Sequence, residues 1–184
     1  QAHQIDVIDP LRRLFFMQTR MYGLPVAVLH DYDRDRATMR VRLARLFDVV
    51  NVSGPQLSKA ETVTVLNDIA AYAPSALADP KFSWKAIDAS QTEVTFRNGA
   101  HAVSALLKFD SQGDLVDFHS SDRGELQGDG TLKILPWSTP LSDYREFAGR
   151  RAPARGVAIY HRPDAPFAYG RFSLTSLSFN EVER

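Results

Sequence analysis

One stretch of this 184-residue chain reads as an α-helix, and almost everything else reads as strand. In "SKAETVTVLNDIAAYAP", Val63, Leu66, Ile69, Ala70 and Ala73 recur at helical spacing. Ser58 followed by Glu61 makes a capping box, and Pro74 ends the helix. A chain with one helix, at about residues 58–73, must build the rest of its core from sheet. The expected class is therefore mainly β (α+β): a single large curved antiparallel sheet or half-barrel with that helix packed on it.

The strand signals agree. "LRRLFFMQTRM" (11–21) and "LPVAVLHDY" (24–32) are rich in β-branched and aromatic residues and meet at Tyr22-Gly23. From Ala37, Met39, Val41 and Leu43 alternate with Thr38, Arg40 and Arg42, the period of a strand with one wet face. The alternation slips at Ala44-Arg45, where a bulge would re-phase it. Further strands follow between Trp84 and Phe179, and Asn98-Gly99 suits a type I′ hairpin turn. The length fits one domain, 1–184, able to bury roughly 70% of its unfolded surface. Residues 1–10 are expected to be poorly ordered, or the remnant of a removed N-terminal segment.

Charge and composition remove several function classes. Twenty-two basic residues balance 22 acidic ones, so the basic field that draws in nucleic acid is missing. Without cysteine there is no thiol nucleophile and no cysteine metal site. No apolar run approaches the ~20 residues of a membrane span, so membrane association would run through a segment absent from this chain. GxSxG, GxxxxGK[ST] and GxGxxG are all missing, which disfavours the enzymes that depend on them.

"HDYDRDR", from His30 to Arg36, is the densest group of ligand-type side chains. As a calcium loop starting at Asp31 it fails, because Arg36 and Arg42 stand where glycine and glutamate are required. His30, His101, His119 and His161 fall on strands, but no paired zinc spacing joins them. The group reads as a hairpin: Val26, Val28, His30 and Tyr32 share one face, Asp31 lies on the other, and Asp33 to Arg36 form the polar tip. No metal and no cofactor is expected.

The order of "MYGLPVAVLHDYDRDRATMRVRLARLF", "GPQLSKAETVTVLNDIAAYAPSALADPKFSWKAID", "LLKFDSQGDLVDFHSSDR", "PWSTPLSDYREFAGRRAP" and "FAYGRFSLTSLSFNEV" resembles an uncharacterised bacterial family of unknown function. Asp31, Arg123, Pro136-Trp137, Asp143, Tyr144, Gly149 and Pro153 match its pattern, whereas Arg34 and Arg36 replace glycines and a tryptophan near Tyr160 is missing. The resemblance implies a sheet similar to the lipoprotein-carrier proteins of the bacterial envelope, a half-barrel able to hold acyl chains. The location stays open between the bacterial cell envelope and the cytoplasm.

Most aromatics fall on strands, and a sheet this large has more apolar face than one helix covers. The leading expectation is a non-enzymatic binding domain for a lipophilic small molecule or acyl chain, with Asp31, Trp84, Arg123, Trp137, Tyr144 and Tyr169 near its site. One alternative is a hydrolase using Asp31, Arg123 and the strand histidines. Another is a structural or protein-interaction module, marked by an exposed apolar patch without a cavity.

Overall fold

The computed structural model describes residues 1–44 and 46–180. Among the described residues the chain is mainly β, antiparallel throughout, with one α-helix. Its strands divide between two sheets, and among the described residues neither sheet closes on itself.

Sheet A is a meander of β1 (Ala2–Val7), β2 (Arg12–Met21), β3 (Leu24–Asp33), β4 (Arg36–Leu43) and β5 (Phe47–Ser53). Residues 2–7, expected to be poorly ordered, are paired along β2 from Ala2↔Met17 to Val7↔Arg12. The slip seen after Leu43 marks the end of β4, since Ala44 already turns with φ 52. The pairing irregularity falls one step earlier, opposite β5, between Val41 and Arg42. Arg45 lies outside the described residues.

The helix α1 spans Pro55–Tyr72, and a 3-10 turn at Pro74–Ala78 follows it. It starts earlier than the sequence suggested, with Gly54 at the N-cap and Pro55 in the first turn, so the capping box is not formed. Ser58 instead accepts the Ala37 backbone N–H at 2.9 Å and donates to the Gly54 carbonyl at 3.0 Å. Glu61 turns inward to an arginine described below.

Sheet B contains β6 (Phe82–Ala86), β7 (Gln91–Asn98), β8 (His101–Phe109), β9 (Leu115–Leu126), β10 (Leu132–Ser138), β11 (Leu141–Phe147), β12 (Arg150–His161) and β13 (Pro166–Ser173). Strands β6 to β10 pair in sequence, and β12 pairs with β10, β11 and β13. Of the Asn98-Gly99 pair only Gly99 takes a positive φ, of 55°, so the turn is not type I′; Asn98 remains in β7.

The helix lies between the sheets and meets both. Thr62 bonds Tyr32 of β3 at 2.8 Å, while Leu57, Val63, Leu66 and Ile69 join Val94, Phe96, Val103, Leu107 and Phe118 in one core cluster. Burial on two sides explains why Ser58, Glu61, Thr62 and Asn67 are buried beside the apolar stripe. The hairpin tips of the sheets also touch: Asn98 donates its side-chain amide to Tyr32 Oη at 2.9 Å and to the Arg34 carbonyl, and His101 Nε2 lies 3.0 Å from the Asp35 carbonyl.

Candidate functional site

Two features stand out once this frame is in place: charged side chains buried around α1, and apolar rows of sheet A that continue past it. Glu61 is 4% exposed and places Oε1 2.9 Å from Arg123 Nη2 of β9. His30 Nδ1 of β3 lies 3.6 Å from its other oxygen. Burial alone would raise the Glu61 pKa; the Arg123 guanidinium, with His30 and Arg13, overrides burial and holds it well below the usual carboxylate range. Two turns on, Asp68 accepts from Arg13 Nε at 2.6 Å and from Gln4 at 2.9 Å. Carboxylates of one helix therefore bind an arginine from each sheet.

Three of the residues named from sequence gather at this seam. The Arg123 guanidinium sits 5.9 Å from the Trp137 ring centre, Trp137 Nε1 donates to Tyr169 Oη at 3.1 Å, and Tyr169 stacks on Tyr160 at 4.8 Å. Among the described residues Arg123 Nε has no hydrogen-bond partner.

The other three stand in different settings. Trp84 lies on the edge strand β6 and is 46% exposed. Tyr144 donates to the Leu115 carbonyl at 2.7 Å, beneath Arg151. Asp31 lies on the outer face of β3, 3.8 Å from Arg12, while Arg123 is held by Glu61 on the core side. The hydrolase grouping of Asp31, Arg123 and a histidine is thus split between two faces. Glu61, Arg13 and Asp68 were not picked out by sequence as site residues. An acidic residue one turn into an otherwise apolar helix was their one visible signal, and capping explained it away.

The inner face of sheet A is ordered in rows across β2, β3, β4 and β5. Nearest the helix are Arg13, Tyr32 and Ala37, then Phe15, His30, Met39 and Val52. Tyr32 and Ala37 belong to the central core cluster, and Met39 and Val52 pack on it. Beyond come Met17, Val28, Val41 and Val50, then Thr19, Val26, Leu43 and Phe47, and finally Met21 with Leu24. These outer rows hold one polar residue, Thr19, and none of their members belongs to the cluster around α1. Opposite them, on the outer face, Gln18, Ala27, Arg42 and Asp48 share one row.

Two clefts open elsewhere. One of about 310 Å³ is lined by Glu93, Ser104, Leu106, His119 and Asp122, and another of about 380 Å³ by Glu125, Lys133 and Arg162. The strand histidines do not form one site. His119 and His161 lie 5.4 Å apart, with Ser138 Oγ 2.8 Å from His161 Nε2, whereas His30 and His101 serve Glu61 and Asp35.

No curated protein and no solved structure matches the chain. A family match does cover residues 1–172, reaching from β1 through almost all of β13 and so including both sheets, the helix and the buried charges. The chain belongs to the family of unknown function DUF6544.

Proposed function

We propose that the protein is a non-enzymatic binding domain that holds a lipophilic small molecule or acyl chain against the inner face of sheet A, beyond α1. The observation that carries this reading is the run of apolar rows from Met17 to Leu24, set beside a core that the helix has already filled. Val63 and Leu66 are fully buried, so a ligand does not fit between helix and sheet at their level. It fits where the helix ends its cover and Met17, Val28, Val41, Leu43 and Val50 remain half-buried. Each methylene moved there from water contributes about 0.8 kcal/mol, so a chain of several carbons supplies useful affinity without a specific polar contact.

Titration with a fluorescent fatty acid tests the reading. Val28→Glu puts a carboxylate into the middle row and should weaken binding at least about tenfold, whereas Gln18→Glu on the outer face leaves it unchanged. Equal binding by both variants, or none by the parent protein, would sink the proposal.

A further inference from the structure

We infer that the free end of sheet A docks on the surface of an anionic lipid bilayer, with the β2–β3 and β4–β5 hairpin ends entering the headgroup layer. The two ends lie side by side, because the Ala44 N–H donates to the Pro25 carbonyl at 2.7 Å. Together they expose Tyr22 at 98%, Leu46 at 78%, Phe47 at 65%, and Met21 and Leu24 at 47% each. That is an exposed apolar tip with an aromatic in its β2–β3 turn, the composition favoured where water meets hydrocarbon.

Tyr22 gives an independent reason to look for a partner. It has φ 51 and the following Gly23 has φ 81, the backbone of a turn that favours Asn-Gly. A bulky aromatic at positive φ costs stability in the free protein, and it makes no compensating burial at 98% exposure. Folding alone does not account for it.

Charge complementarity selects an anionic surface. Arg20 and Arg42 flank the tip and Arg40 stands one row behind; Asp48 pairs with Arg42 at 2.7 Å. Among the described residues Arg20 and Arg40 have no ion-pair partner. The other acidic side chains of sheet A, Asp6, Asp31 and Asp33, lie toward its opposite end. Long arginine stems can lie along the apolar tip while their charges meet lipid phosphates. Among the described residues no helix is long and apolar enough to cross a membrane, and surface docking needs none.

This inference does not depend on a bound lipophilic ligand, and its test uses different residues. The full chain is sedimented with vesicles of phosphatidylcholine alone and with a minority of phosphatidylglycerol. It should pellet with the anionic vesicles, release at high salt, and bind the neutral ones about tenfold or more weakly. Arg20→Gln with Arg40→Gln should reduce anionic binding to the neutral level. Tyr22→Asn should weaken binding to both while raising the melting temperature, a pairing that a purely structural role for Tyr22 would not give. Unchanged pelleting of these variants overturns the inference. So does a parent protein that stays in the supernatant when the vesicles pellet, or one that sedimentation velocity shows to be a dimer that Tyr22→Asn dissociates.

Discussion

The Glu61–Arg123 contact joins the helix to sheet B through two buried charges. Both side chains are less than a tenth exposed, and the Arg123 guanidinium holds the Glu61 carboxylate ionised against its burial. Glu61→Gln leaves the guanidinium buried without its counter-charge and should cost roughly 3–5 kcal/mol, read as a lower urea midpoint. Replacing both partners, Glu61→Leu with Arg123→Met, should restore most of that loss, because two apolar groups leave no charge stranded. Recovery no better than the sum of the single losses would show that the seam acts through more than this pair. Arg123 was legible in the sequence through the family pattern alone; nothing in "SSDRGEL" marks it as buried. Its partner was hidden because glutamate near a helix start has an ordinary local explanation.

Among the elements, α1 shows how tertiary contact redirects local signals. Ser58 was read as a cap for its own helix, yet it satisfies the Ala37 N–H of β4 and so ties helix to sheet A. Ser58→Ala should therefore destabilise the protein by about 1–3 kcal/mol through an orphaned buried donor. It should also speed hydrogen exchange at Ala37 before the helix amides respond; protection unchanged at Ala37 would refute that role. The strands were more legible, because alternation along Met39, Val41 and Leu43 survives in the pleat and fixes which face is inner. At "HDYDRDR" the same logic holds. His30 and Tyr32 face the helix, Asp31 faces out, and the tip is docked by Asn98 and His101 from the other sheet. That docking joins residues 66 apart in sequence.

On the scale of the whole molecule, one helix serves two sheets, and its carboxylates bind an arginine from each. This couples global stability to acid. The Glu61 carboxyl has a pKa lowered by folding, so its contribution is complete above the unfolded value near 4.3 and declines as pH falls below it. Below about pH 4 the denaturation midpoint should fall, with a shallower fall in the Glu61→Leu, Arg123→Met protein. Equal slopes in both would place the acid sensitivity elsewhere. By itself the sequence determined the mainly β class, the lone helix and the hairpin at Asp33 to Arg36, because period, turn chemistry and helix-breaking prolines act over a few residues. Only the tertiary structure decided that the strands form two sheets. It also decided that the helix is buried on both sides and that apolar rows of sheet A run past it. Those outcomes depend on which distant faces meet, and the buried side chains of α1 are compatible with one sheet or two until both are in place.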